Sequence, residues 1–321
     1  MKNGRYYSVE SINTEQRDRR LRKVDFSKLY SRKASIHGTC IKLFSDRHEI
    51  VDMWEENFHP MQEDIRPHGR IFAIDGKGKT PRVLYEKTSK TVFIYNCRYY
   101  GKIKSVALAL CAQYLLDSPS LENRRYSIHG SFIDVGGRGV AIMGRPKAGK
   151  TTLTYGILAS KKEANFLTDD WFFVRFLGRD IRAYSAEKNS YAGADIATNW
   201  SSLKERLKEV KKDNHGRSIV DVAHLFGGRR IRERSDIYAV VVLARDKKLP
   251  VWSRLEPKKA LALLRKWDYC NPHQLLRSAK SEKEQYEFFA SLLQKVPAYL
   301  LNTVEAPKQS LLRLDKLLGE L

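Results

Sequence analysis

Apolar residues fall into two regimes along the chain. Between residues 36 and 100 they form short β-rich runs, RIFAI at 70 to 74, RVLYE at 82 to 86 and TVFIYN at 91 to 96, with the Gly and Lys turn DGKGKT between the first two. These runs predict a small antiparallel sheet. SVALALCAQYLLD, residues 105 to 117, has apolar positions at helical spacing and ends in DSPS, which predicts a helix, then a linker, with a boundary near 118 to 125. Beyond it strand and helix patterns alternate. IHGSFIDV and GVAIM form a strand pair about Gly136 and Gly137, and a helix starts at Lys150. The strands NFLTDD, WFFVRF (171 to 176), IRAYSA (181 to 186) and YAVVVLA (238 to 244) come next. The segments EPKKALALLRKW, KSEKEQYEFFASLLQKV and SLLRLDKLLGEL read as closing helices.

Between the strand Val140 to Met143 and the helical TTLTYGILAS stands GRPKAGKT, Gly144 to Thr151, which satisfies G-x-x-x-x-G-K-[ST]. Glycine lets the backbone bend tightly and turn several N–H groups toward one anion at the positive end of a helix. The cradle is expected from Gly144, Lys147, Ala148, Gly149, Lys150, Thr151 and Thr152. Lys150 would reach the β and γ phosphates of ATP or another nucleoside triphosphate, and Thr151 would offer its hydroxyl to Mg²⁺. Eighteen residues on, FLT ends in Asp169 and Asp170. In a parallel sheet, acids at that strand end lie beside the loop, where one can hold the metal while the other takes a proton from an attacking hydroxyl. The expected fold class is therefore α/β: a P-loop catalytic domain with a mixed central sheet over 121–321, a small α+β N-terminal domain over 36–120, and a basic arm or surface helix over 1–35.

Charge adds a partner. Lys and Arg number 59 against 37 Asp and Glu, a net +22, which favours an anionic partner: RNA or DNA first, then an acidic protein or membrane surface. A lysine-rich solvated surface is the plain alternative. Cys40, Cys97, Cys111 and Cys270 are scattered without metal-ligand spacing, as suits a reduced cytoplasm. The N-terminus has no apolar core of signal length, and no apolar run reaches membrane-spanning length. The expectation is a soluble, unprocessed cytoplasmic protein with no membrane partner.

Three ordered stretches, SIHGSFIDVGGRGVAIMGRPKAGKTTL, LTDD and SIVDVAHLFGGRRIRE, resemble the catalytic domain of bacterial HPr kinase/phosphorylase, whose core is akin to phosphoenolpyruvate carboxykinase. The resemblance runs from about Ser127 to Leu243. It implies an active-site histidine at His129, an acid activating the acceptor hydroxyl at Asp169, metal support from Asp170, and an arginine on the transferring phosphate at Arg232. Where the family carries Glu-Ile-Arg-Gly-Leu-Gly-Ile, this chain has Asp213 to Ile219, so Asp213 stands in for a metal-binding Glu and His215 replaces the arginine. Glu187 is the second choice as metal ligand. The family's Pro-rich catalytic loop is not recognisable after Ala244, and the first 120 residues match no family regulatory domain. The resemblance also implies a homo-oligomer.

Arg229, Arg230, Arg232 and Arg234 read as a solvated turn, a phosphate clamp or part of an RNA path. Tyr99 and Tyr100 read as packing or as a stacking platform for bases. The leading function is an ATP- and Mg²⁺-dependent kinase acting on a hydroxyl of a protein serine, a small molecule or RNA. The alternatives are a nucleotide-dependent nucleic-acid-binding switch and a phosphorylase or phosphatase of a phosphorylated partner.

Overall fold

The computed structural model describes residues 8–76, 78–118, 120, 124–271 and 274–320. The fold is α/β, and the chain divides into two compact units. One is Met1–Arg125 with Pro272–Ser278, the other Tyr126–Asn271 with Ala279–Leu321. Among the described residues no helix is long and apolar enough to cross a membrane. Cys40, Cys97, Cys111 and Cys270 are all buried thiols.

In the first unit the three predicted runs are strands, Gly69–Ile74, Arg82–Glu86 and Thr91–Tyr95. The sheet they join is not the small antiparallel one expected. It has seven strands and is mixed. Thr39–Ser45 runs parallel to Gly69–Ile74, which runs parallel to Thr91–Tyr95. The helix His48–Asn57 supplies the crossover that a parallel neighbour requires. The basic segment read as an arm holds a strand, Val9–Ile12, laid parallel to Arg82–Glu86, and a helix, Thr14–Leu21, opened by an Asn13–Gln16 capping box. Tyr30–Ile36 is already sheet. The predicted helix begins earlier than expected, covering Tyr100–Leu116. It is apolar on nearly every side and buries Ile103, Val106, Leu108 and Leu110.

The second unit carries the Gly144–Thr151 loop. Arg138–Gly144, Arg234–Ala244 and Ala298–Asn302 run parallel, with Gly144 beside Leu243 and Ala244 beside Asn302. Tyr126–Val135 runs antiparallel to Arg138–Gly144. It also runs antiparallel to Ala164–Thr168 and then to Trp171–Leu177. The helix Lys150–Ser160 buries Leu153, Ile157 and Leu158 in one core with Ile133, Val140, Ile142 and Val241. A second core gathers Phe132, Phe172, Val240, Phe289 and Leu292. Each fully buried side chain of this size contributes about 1.5–3 kcal/mol. A short ribbon, Asn189–Ala192 against Ser218–Asp221, forms a separate two-stranded sheet that the sequence pattern did not show.

Glu86 ties the N-terminal helix to the first sheet. Its carboxylate accepts from Arg17 at 3.2 Å and from the backbone N–H groups of Thr88 and Ser89. Burial alone would raise this carboxyl, but the hydrogen bonds from Ser89 and Thr88 overrule it and hold the pKa at about 2. A depressed carboxyl stabilises the fold above its unfolded pKa near 4.5, and that contribution fades as pH falls toward 2. Thermal unfolding of wild type and Glu86→Gln should therefore differ most at neutral pH, and the gap should narrow steadily below pH 4.5.

Candidate functional site at the end of the parallel strands

The loop Gly144–Thr151 leaves a buried strand and enters a helix, and its backbone is bent where a phosphate cradle requires. Lys147 and Gly149 have φ of +67° and +98°. Glycine adopts this left-handed conformation at no steric cost, while lysine is strained there. At Gly144 a Cβ would lie 2.9 Å from Cβ of Leu243, so the close strand pairing also demands glycine. Thr303 fastens the loop from behind: its hydroxyl donates to the Ala148 carbonyl at 2.8 Å and its backbone N–H to the Ala244 carbonyl at 2.8 Å. Arg245 adds a contact to the Lys147 carbonyl at 3.4 Å. Neither Thr303 nor Arg245 carries a signal in the sequence beyond its place after an apolar strand.

Lys150 is buried, and its ammonium donates to the Gly144 carbonyl at 2.9 Å. Burial lowers its pKa, while Cys270, Asp170 and Asp169 act in the opposite sense. Both acids and the lysine thus share one electrostatic environment. The Thr152 hydroxyl donates to Asp195 at 2.7 Å. Thr151 is half-buried at the start of the helix.

The acid pair occupies the corner between Ala164–Thr168 and Trp171–Leu177. Ser131 donates to the Asp169 carbonyl and the Gly130 N–H to the Asp170 carbonyl, both at 3.0 Å. Ala164–Thr168 runs in the same direction as the loop strand but is separated from it by antiparallel Tyr126–Val135. The simple parallel neighbour expected from sequence is therefore absent. The intervening strand starts at the loop end of the sheet, and this brings His129 to the acids.

His129 is buried. Its Nε2 lies 3.1 Å from Asp170 Oδ1, and its Nδ1 lies 2.8 Å from the Cys270 carbonyl. A carbonyl only accepts, so Nδ1 carries a hydrogen, and the Nε2 contact becomes a hydrogen bond when the pair holds one further proton. Burial, then Lys150, lowers the imidazole pKa, with Asp170 and the Cys270 carbonyl opposing. The carbonyl sits on a left-handed turn in which Asp268, Tyr269 and Cys270 all have positive φ, from +51° to +58°. Burial pushes the Cys270 thiol up to about 12.

Other predicted residues have different surroundings. Asp213 is buried in a turn of its own: it accepts from the N–H groups of His215 and Arg217 and from the Arg217 guanidinium at 2.9 and 2.7 Å. Burial would raise its pKa, but the Arg217 bonds prevail and lower it. A metal ligand there would have to compete with these bonds. Glu187 is buried after the strand Asp180–Ser185. Arg232 is exposed; its guanidinium donates to the Arg229 carbonyl at 3.1 Å, and its N–H to the Phe166 carbonyl at 2.8 Å, three residues before Asp169. Among the described residues no group of three or more His, Cys, Asp and Glu side chains forms a metal cage. Thr151 and Asp170 offer oxygen atoms, the ligand type that Mg²⁺ takes beside substrate phosphates.

Strand, glycine-bearing loop and helix, with acids and a histidine at the same end of a mixed sheet, make the second unit an α/β fold. No family model matches the chain. Over 163 residues, 51% of its length, it is 27% identical to the HPr kinase/phosphorylase of Chlorobium limicola and is HPr kinase-like there. That match spans 42% of the relative's length. The solved Hpr(Ser) kinase/phosphatase from Coxiella burnetii aligns with 60% of this chain and 98% of its own, at 15% identity and a TM-score of 0.35.

Arg230, one of four arginines whose pattern suits a solvated turn, a phosphate clamp or an RNA path, caps the loop helix. Its guanidinium donates to the carbonyls of Leu158, Lys161 and Ala164 at 2.8, 2.7 and 2.8 Å and lies over the Phe226 ring. Arg230→Ala should cost about 2–4 kcal/mol in urea unfolding, because it strands buried carbonyls at a helix end. Arg230→Lys should restore little, since an ammonium cannot reproduce the fork. Unchanged stability in Arg230→Ala would contradict the capping role.

Proposed function

We propose that the chain binds a nucleoside triphosphate on Gly144–Thr151 and transfers its γ-phosphoryl group to a hydroxyl, with a protein serine as the favoured acceptor. The observation that carries this reading is the convergence of Lys150, Asp169, Asp170 and His129 at the end of the sheet where the loop turns into its helix. The name of the similar Chlorobium limicola protein supports phosphotransfer. The catalytic domain is the unit from Tyr126, and the basic first unit is a candidate for docking an anionic partner, an acidic protein ahead of RNA.

Lys150 would place its charge on the β and γ phosphates, and the loop N–H groups would hold them in line. Asp169 would take the proton of the acceptor hydroxyl as its oxygen bonds to the γ phosphorus. Arg232 would approach the transferring phosphate after its guanidinium leaves the Arg229 carbonyl. Thr151 and Asp170 would hold Mg²⁺, with Glu187 and Asp213 as further donors, and the metal supplies neutralisation of triphosphate charge. Oligomerisation would follow the similar family. Because the relative's name includes phosphorylase, the reverse reaction is the second reading, in which Asp169 returns the proton.

Incubation with γ-labelled ATP and fractionated cell extract should place label in protein. Label in RNA or a small molecule would change the acceptor, and phosphate release alone would favour the nucleotide switch. Asp169→Asn should retain Mg·ATP binding while transfer falls by roughly 10² to 10⁴, the loss expected for a general base. Equal loss of binding and transfer would make Asp169 a metal ligand instead.

A further inference from the structure

Asp169 belongs to a buried chain of hydrogen bonds that reaches back to the loop helix. The Ser190 hydroxyl donates to Asp169 Oδ2 at 2.7 Å, and the Tyr155 hydroxyl lies 2.9 Å from Ser190 Oγ. Ser190, Tyr155 and Asp169 are all buried. Their order has one sense. An ionised carboxylate only accepts, so the single Ser190 proton points at Asp169, and Ser190 Oγ must receive the proton of Tyr155. Burial pushes the Tyr155 phenol far above its usual range, so it remains a donor.

The three residues come from different elements. Tyr155 is one turn beyond Thr151 on the helix Lys150–Ser160, Ser190 lies on the ribbon Asn189–Ala192, and Asp169 follows Ala164–Thr168. Tyr155 is itself set by packing edge-on against Phe226, at 5.8 Å between ring centres. The helix whose first turn faces the phosphates is thereby connected through two hydroxyls to the carboxylate that takes the acceptor's proton.

We propose that Ser190, supported by Tyr155, is a positioning residue that fixes the orientation of the Asp169 carboxylate relative to the phosphate loop. This rests on the reading of Asp169 as the proton acceptor. A carboxylate can rotate about its side-chain bonds, and a short charge-assisted hydrogen bond holds one orientation. Misplacement by about 1 Å can cost about a hundredfold in rate. In the step it serves, the acceptor O–H gives its proton to Asp169 and its oxygen bonds to the γ phosphorus. The bond from that phosphorus to the bridging oxygen breaks, and ADP leaves with the electron pair.

The test uses the full chain with Mg·ATP and water as acceptor, read as inorganic phosphate release. Ser190→Ala should lower kcat by about tenfold or more while KM for ATP stays within about twofold, because the phosphate cradle is untouched. Ser190→Thr keeps a hydroxyl and should recover most of the rate, and Tyr155→Phe should fall between wild type and Ser190→Ala. Wild-type kcat in Ser190→Ala, with Asp169→Asn impaired, would overturn the positioning role and leave the reading of Asp169 standing. Full activity in Asp169→Asn, with Lys150→Ala inactive, would remove that reading and this proposal together. Ser190→Thr as impaired as Ser190→Ala, in a protein of wild-type thermal stability, would also overturn it.

Discussion

One threonine joins the Gly144–Thr151 loop to the end of the neighbouring strand, through its hydroxyl on one side and its backbone N–H on the other. Thr303 meets the Ala148 carbonyl within the loop and the Ala244 carbonyl at the end of the neighbouring strand. Behind it the parallel register sets Gly144 against Leu243 and Ala244 against Asn302. Asn302 is buried and holds the turn after Ala244 by accepting from the Asp246 N–H and donating to the Asp246 and Leu249 carbonyls. Three strand ends are thus fixed to one another before any ligand arrives. A loop with left-handed backbone at Lys147 and Gly149 persists only where its surroundings determine its shape, and here they do.

The grouping of the site's side chains follows from the direction of a single strand. Tyr126–Val135 runs against the loop strand, so its start, with His129, lies at the end where the loop strand finishes. Ala164–Thr168 runs against Tyr126–Val135, so its finish, with Asp169 and Asp170, returns to that end. Two reversals place a histidine, two acids and a lysine together without requiring adjacent parallel strands. The left-handed turn at Asp268–Cys270 then supplies a carbonyl that sets the histidine ring. Three consecutive non-glycine residues in that conformation are costly, at about 1–2 kcal/mol each, so the surrounding packing must hold the turn in place.

The glycine spacing, the strand before it and the helix after it disclosed the loop, because backbone conformation and phosphate approach demand glycine at fixed positions. Asp169 and Asp170 were legible because an acid pair ending an apolar run is unusual. Ser190, Tyr155 and Thr303 were not, since a hydroxyl near an apolar run looks the same whether it faces solvent, a core or a carboxylate. The role of Arg230 stayed open for a related reason: a guanidinium in a basic cluster suits solvent, phosphate and helix-end carbonyls equally well, and only the fold brings Leu158, Lys161 and Ala164 within its reach. The mixed sheet of the first unit escaped because short apolar runs fix strands but not their partners, and the crossover helix His48–Asn57 lay outside the pattern used.

On the proposed function, Gly144–Thr151 holds a nucleoside triphosphate through Lys150 and the loop backbone. Calorimetric titration of Mg·ATP into wild type and into Lys150→Ala tests it most directly, with circular dichroism confirming that both are folded. The predicted result is saturable binding to wild type that weakens by about a hundredfold or more in the variant, in line with loss of a buried charge-assisted contact to phosphate. Equal affinities in two folded proteins, or no heat from wild type, would contradict it.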